Sequence, residues 1–455
     1  MTTERTPYVP KGFPFVGVLL RLRRDPLGTF TQLAREHSGL VQLRKNWFFV
    51  SSPADVQRVL AGPVPYTKGA FSKAVSSNTV DPLQEALGEG LLTSEGDAWK
   101  RQRRLSQPAY HKQRLRTLVP AMVGAAQSLV DRWAVPAQRG ESIDAVEEMR
   151  RVGLDTMGRT LFSVPIGGDA DEFGSALGES VVITNEKFWS LIPNFAWLPT
   201  ARNRHWRKLM DTINSGVHQR IQQRQKDSSE YSDMLSIYMS VRDEQTGEGM
   251  SEKQLRDEMM TLLIAGHDST AQALCWTLHL LAEYPEAQQR VRAEVKEVLG
   301  DRPPTAEDLP RLAYTLRVIH ESMRLYPPAW LLVRSPTQDD VIDGCHVPAR
   351  SVVLSCPFVT HRRPDLWEDP DRFDPDRFTA ERSTSRPRYA YFPFGGGGRQ
   401  CIGNTFALQE MQIILALVVQ RYQLTSMPGH PVELQAALTL RPKNALRVKV
   451  SANAA

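Results

Sequence analysis

Cysteine is scarce, with four residues in 455 (Cys275, Cys345, Cys356 and Cys401) and no CxxC pair among them. That spacing excludes a dense disulfide framework and fits a reducing compartment, where individual thiols are free for other work. Long apolar runs are missing too. The apolar stretch at 13–20 is interrupted by Pro14 and Gly17 and closed by Arg21. It is too short for a membrane span of about 20 residues and has no signal-peptide pattern. Charge of one sign is not in excess. With 56 basic and 51 acidic residues the formal net charge is +5, which gives nucleic-acid binding no support. Repeats, low-complexity tracts and linker-like stretches are also absent. What remains is a chain 41% apolar and 24% charged, close to globular averages and long enough to bury a large core without staples.

Helical spacing of apolar residues dominates. It predicts helices over 27–37, 97–106, 116–134, 144–162, 169–187, 202–226, 251–282, 285–298, 311–325 and 402–421, with another beginning at Ser52-Pro53. Alternating segments predict a small hairpin over VQLRK and WFFVSS and further strands at SVVLS and LRVKV. The fold class expected is mainly α with a small β region.

Three local patterns carry chemistry. In YFPFGGGGRQCIGN, glycines at 395–398 free the backbone for a tight turn and close approach, and Cys401 sits just before a helix. A helix N-terminus favours thiolate over thiol, and thiolate ligates metal. A phosphate-cradling loop fails here, since the glycines lead to Arg399-Gln400-Cys401 in place of a Lys-Ser/Thr pair. In HESMRLYPP, Glu321 and Arg324 share one helix face. His320-Glu321 cannot be a zinc-protease motif, because Arg324 replaces the second histidine. In LLIAGHDSTAQAL, Gly266, Asp268, Ser269 and Thr270 are poor helix residues in the middle of the longest predicted helix. A local conflict of that kind often marks a function. Taken singly, the glycine loop and the i,i+3 pair fit a bland role in packing or solvation better than a functional one, whereas the helix stretch favours function over a tolerated polar kink.

Together these patterns resemble the cytochrome P450 family. Phe394, Gly397, Arg399, Cys401 and the following Gly403 are similar to its haem-binding signature. Glu321 and Arg324 resemble its E-x-x-R motif, and FDPDRF supplies Arg377 as the third member of a buried structural triad. Trp99 and Arg103 have the W-x-x-x-R spacing used near haem carboxylates, and Arg334 and Arg399 occupy positions of further carboxylate partners. The resemblance spans nearly the whole chain and implies a single catalytic domain over 1–455 without a fused reductase. The haem would lie between the long helix at 251–282 and the Cys loop with the last helix.

The resemblance further implies haem b (iron protoporphyrin IX) with Cys401 as its iron ligand. Asp268 and Ser269, with Thr270 next, would deliver protons to iron-bound oxygen. Ser269 stands where the family most often has threonine. It keeps the hydroxyl but lacks the methyl that restricts the rotamer. The implied activity is hydroxylation of a lipophilic small molecule (terpenoid, steroid, polyketide or fatty acyl) with O2. Oxidative coupling, desaturation or peroxide-driven oxidation are the alternatives on the same fold. Electrons would come from a separate ferredoxin or flavodoxin and its reductase, docking near Lys100, Arg101, Arg103 and Arg104. The expected pocket includes Phe71, Phe188, Leu263, Ala265, Gly266, Ala329, Trp330 and Leu332, and the apolar stretch 188–199 lies beside it. The protein is expected to be a cytoplasmic monomer without a transmembrane anchor.

Overall fold

Short polar side chains stop and start the helices. Ser52, Asp144, Thr200, Asp233 and Ser251 each accept a backbone N–H from two or three residues on, satisfying donors that the first helical turn leaves open. The computed structural model describes residues 5–12, 18–68, 81–168, 171–188, 197–227, 229–427, 429 and 431–453, the side chain of Phe188 excepted. The chain divides into two compact units built from interleaved segments.

The first unit gathers 1–79, 320–401 and 436–440. Its centre is a five-stranded sheet ordered Val41–Arg44, Trp47–Val50, Val352–Ser355, Leu332–Pro336, Tyr66–Thr67. Trp47–Val50 pairs parallel with Val352–Ser355, in register Trp47 to Val352 and Val50 to Ser355; the other pairings are antiparallel. Both middle strands are buried on both faces, as their uninterrupted apolar runs require. Phe48, Val50 and Val353 pack with Val56, Val59 and Leu60 of the helix Pro53–Ala61 and with Tyr389 and Phe392. A second hairpin, Asp340–Ile342 with Cys345–Val347, turns on Asp343-Gly344, both at positive φ as a two-residue turn of this hand needs. Asp340 fixes that hairpin to its surroundings. Arg58 Nε donates to Oδ1 at 3.0 Å and the Tyr66 hydroxyl to Oδ2 at 2.7 Å.

The second unit, 80–319, 402–435 and 441–455, is helical. Glu252–Glu283 is its longest helix at 32 residues, and it is buried nearly all round. Its closest partner is Ala145–Phe162, where small residues let the backbones approach. A Cβ on Gly153 would lie 3.0 Å from the His267 carbonyl, and one on Gly266 2.7 Å from the Met157 sulfur. Gly266 therefore has a packing reason as well as the local conflict visible in the sequence. A small sheet of Ser142–Asp144, Arg447–Ala452 and Tyr422–Ser426 completes the unit. Among the described residues, no helix is long and apolar enough to cross a membrane.

Candidate functional site

The glycine loop is shaped by the chain itself. Gly395 and Gly397 take φ of +69° and +65°, and a Cβ on Gly397 would stand 1.8 Å from the Leu60 carbonyl oxygen. The loop is thus pressed onto the end of the helix Pro53–Ala61, and glycine at 397 is demanded twice, by conformation and by space. Gly397→Ala is expected to cost about 2–5 kcal/mol, from left-handed strain plus overpacking. The urea midpoint checks this; an unchanged midpoint contradicts the account. Gly403 differs, because a Cβ there meets only the Tyr110 ring, at an ordinary 3.6 Å.

Cys401 follows this loop. Its N–H donates to the Phe394 carbonyl at 3.0 Å, and it is the exposed one of the four cysteines, the other three being buried. Burial pushes the Cys356 thiol up to about 12, so that buried thiol resists ionisation at neutral pH. In the same unit Arg399 and Phe394 are half-buried, and Arg334 is buried with Nη1 donating to the Val333 carbonyl at 2.9 Å.

The expected triad is assembled. Arg324 donates from Nε to Glu321 Oε2 at 2.6 Å and from Nη2 to Oε1 at 2.8 Å, with both side chains fully buried. It also binds the carbonyls of His361, Pro370 and Arg372. Arg377 Nε lies 3.3 Å from Glu321 Oε1, and the Asp374 N–H donates to the same oxygen at 2.9 Å. Burial drives the Glu321 carboxyl upward while Arg324 pulls it down. The guanidinium thus pins the loop 361–374 to its helix.

In the second unit the middle of the long helix is accessible between two buried runs. Residues 259–264 and 270–278 are buried, whereas Ala265 is exposed and Gly266 and Ser269 are half-buried. Ala265 and Ser269 are one turn apart, and the Ser269 hydroxyl donates to the Ala265 carbonyl at 2.9 Å. Thr270 and Leu263 are buried. Asp268 is buried too, and it meets a residue that the sequence reading missed. Arg441 Nη2 lies 3.1 Å from Oδ2 and 3.3 Å from Oδ1. The two are 173 positions apart, on a helix and on the strand Leu440–Pro442, so no local pattern could have paired them.

Trp99 and Arg103 are half-buried and one turn apart on the helix Gly96–Ser106. Their basic neighbours are largely committed. Arg104 pairs with Asp243 at 3.0 Å, Arg101 donates to the Gly249 carbonyl at 2.9 Å, and Lys100 binds Asp97 at 2.9 Å. Of the expected pocket, Ala329 and Leu332 are half-buried, and Trp330 is buried with its indole N–H donating to the Ala437 carbonyl at 2.8 Å. Phe71 and the Phe188 side chain lie outside the described residues.

These donors can be tested against haem. Among the described residues, no three His, Cys, Asp or Glu side chains gather as a metal cage. A lone accessible thiolate holds iron when a macrocycle supplies the other in-plane ligands, which is the haem-thiolate arrangement. Guanidinium groups are of the kind that would pair with its carboxylates.

Comparison with known proteins agrees. The sequence model of the family described as Cytochrome P450 matches residues 7–450. Cyclooctatin synthase of Streptomyces melanosporofaciens is 35% identical over 438 residues, covering 95% of this chain and 92% of its own. Pentalenene oxygenase of Streptomyces avermitilis is 29% identical over 446 residues, covering 97% and 96%. The crystal structure of the cytochrome P450DA heme domain superposes with a TM-score of 0.89 at 28% identity, covering 98% of this chain and 97% of that one. A match that runs almost end to end and contains the signature cysteine decides the matter: the chain belongs to the cytochrome P450 family and is a haem b-dependent monooxygenase.

Proposed function

We propose that this monooxygenase hydroxylates a terpenoid, with residues 1–455 acting as one catalytic domain. The observation that carries the reading is the accessible stretch of the long helix, Ala265, Gly266 and Ser269, lined by small groups and backed by a buried acid. The relatives support the substrate class by name: cyclooctatin synthase, pentalenene oxygenase and, at 31% identity, the cyclooctat-9-en-7-ol 5-monooxygenase of Streptomyces melanosporofaciens.

Bound haem supplies the activation of dioxygen. The Cys401 thiolate would ligate the iron, while Trp99, Arg103, Arg334 and Arg399 would hold the carboxylates. Phe394, Gly397 and Gly403 shape the loop around the cysteine. Asp268 would pass protons to the Ser269 hydroxyl. For that the hydroxyl must turn from the Ala265 carbonyl, because one O–H cannot donate in two directions at once. Thr270 offers a second hydroxyl one residue on. Leu263, Ala265, Gly266, Ala329, Trp330 and Leu332, with Phe71 and Phe188, would bound the lipophilic guest. Electrons would arrive from a ferredoxin or flavodoxin and its reductase, to a monomer in the cytoplasm.

The test begins with the spectrum of the reduced protein with carbon monoxide. Wild type is expected to show the strongly red-shifted Soret band of thiolate ligation, and Cys401→Ser to lose it. A red-shifted band that survives the substitution would remove Cys401 from the iron. Titration with cyclic terpene alcohols should then displace the iron's water ligand and shift the Soret band. A response to long-chain fatty acids alone would reject the terpenoid reading.

A further inference from the structure

Arg441 reaches Asp268 from a strand whose backbone is tied to the expected pocket wall. Its Nη2 lies 3.1 Å from Asp268 Oδ2 and 3.3 Å from Oδ1, and the two side chains are only 16% and 12% exposed. The histidine beside the acid does not act as a second cation. His267 is buried, its Nδ1 is 2.6 Å from the Leu263 carbonyl, and burial pushes its ring below the usual histidine range, so it is neutral at neutral pH. Arg150, whose charge reaches His267, is bound to Glu147 at 2.7 Å. Gln272 Nε2, one turn further along the helix, stands 3.5 Å from Asp268 Oδ1.

The backbone sets where that guanidinium sits. Leu440–Pro442 pairs with Leu434–Ala436 in a two-stranded sheet, and just beyond it the Lys443 N–H donates to the Glu433 carbonyl at 2.9 Å. At the other end of the strand the Leu440 N–H donates to the Pro328 carbonyl at 2.9 Å, and the Ala437 carbonyl accepts the Trp330 indole N–H at 2.8 Å. Leu440 and Ala437 are buried, so water is no easy substitute in either bond. Residues 328–330 begin the wall that Ala329, Trp330 and Leu332 would offer a guest. Leu440 belongs to the first unit and Arg441 to the second, so one peptide bond joins the residue held by that wall to the residue holding the acid.

While both its oxygens accept from Arg441, the carboxylate is held in one orientation and cannot swing between solvent and the Ser269 hydroxyl. Charge-assisted bonds of this kind are about twice as strong as neutral ones. The guanidinium nevertheless keeps a way out, because its partial exposure lets water replace the carboxylate as acceptor.

We propose that Arg441 is a positioning residue that ties proton delivery to substrate occupancy, holding Asp268 while the pocket is empty and releasing it when a guest moves the segment 328–332. The inference rests on the reading of Asp268 as the proton-transfer acid and of Ala329, Trp330 and Leu332 as pocket wall. The guanidinium stays protonated throughout, and only its hydrogen bonds change. Because binding of the guest breaks the pair, the intact pair weakens binding of the guest by the same factor.

That reciprocity gives a readout without turnover, made on the haem-loaded protein. The dissociation constant of the cyclic terpene alcohol that shifts the Soret band is measured in wild type, Arg441→Ala, Asp268→Asn and the double variant. It is expected to fall about fivefold in Arg441→Ala and no further in the double variant. Oxygen consumption without a guest, driven by a 2Fe–2S ferredoxin and its reductase, is expected to rise about fivefold in Arg441→Ala and not in the double variant, since only a released Asp268 leaks protons. An arginine that merely supports the fold would lower soluble yield and the urea midpoint without either effect. Unchanged or weaker guest binding in Arg441→Ala overturns the proposal, as do independent, additive effects of the two substitutions. Should Arg441→Ala fail to fold, Asp268→Asn combined with Arg441→Gln, which strands no buried charge, must still bind the guest about fivefold tighter than wild type. Failure of the acid's own role shows separately, as near-wild-type turnover in Asp268→Asn. Failure of the terpenoid reading leaves the test intact, with the fatty acid that shifts the Soret band as the guest.

Discussion

Arg324→Ala is expected to yield almost no folded haem protein. The guanidinium donates five hydrogen bonds, two to Glu321 and one each to the His361, Pro370 and Arg372 carbonyls, from a fully buried position. Removing it strands a buried carboxylate and leaves three carbonyls, that of His361 fully buried, without this donor. Breaking a buried ion pair from one side costs about 3–5 kcal/mol, and whole domains are stable by only about 5–15 kcal/mol. The loss of the loop anchor adds to that. Glu321→Gln is milder, because the amide oxygen still accepts one bond and the guanidinium left behind keeps its three carbonyl acceptors. Comparing soluble yield, haem content and urea midpoints across the two variants tests the argument. Near-wild-type stability in Arg324→Ala would show that the loop 361–374 is held by something else.

Asp268→Asn is expected to lower turnover by about 100-fold or more, the usual worth of a positioned proton-transfer group, without altering the carbon monoxide spectrum. Asparagine preserves the shape and one acceptor for Arg441, 3.1 Å away in the wild type, but cannot carry a proton between solvent and the Ser269 hydroxyl. A raised solvent isotope effect should accompany the loss, since proton delivery becomes limiting. Ser269→Ala should reduce product more than oxygen consumption, with the difference released as peroxide. Turnover within threefold of wild type in Asp268→Asn would reject the acid's role. The Arg441 pair also implies a cost to function, because an ion-paired carboxylate must loosen from its partner before it can serve as a relay.

Helices were the legible part of this sequence. The spacing over 97–106, 144–162, 202–226, 251–282 and 285–298 predicts elements found at Gly96–Ser106, Ala145–Phe162, Ala201–Lys226, Glu252–Glu283 and Pro285–Leu299. A period of 3.6 is a local signal, and these segments are long enough to display it. The helix expected at 116–134 begins earlier, at Lys112, and runs through Pro120; its buried face outweighs the missing N–H. Short elements escaped notice, among them Met234–Ser240, which spans too few turns to show a period. At the candidate site, motif spacing picked out Glu321, Arg324 and Arg377, which the fold brings together, and it named Cys401 and the stretch 265–270 as candidates. It could not locate Arg441 or the Tyr66 and Arg58 contacts with Asp340, because those partners meet only through tertiary structure. Nor could spacing distinguish Gly397, held by the backbone of Leu60, from Gly403, which meets no such constraint.

The parallel pairing of Trp47–Val50 with Val352–Ser355 also sets a timetable for biosynthesis. A ribosome adding about 5–20 residues per second needs roughly 15–60 s to pass from one strand to the other. Throughout that interval Trp47, Phe48, Phe49 and Val50 have been made but lack the neighbour that covers them. The nascent chain therefore carries an unpaired apolar strand edge for most of its synthesis, a surface that invites chaperones or aggregation. Cys401 is made later still, and its proposed role as iron ligand would make incorporation of the prosthetic group a late event. Limited haem supply or rapid expression should accordingly accumulate insoluble chains rather than a soluble apoprotein.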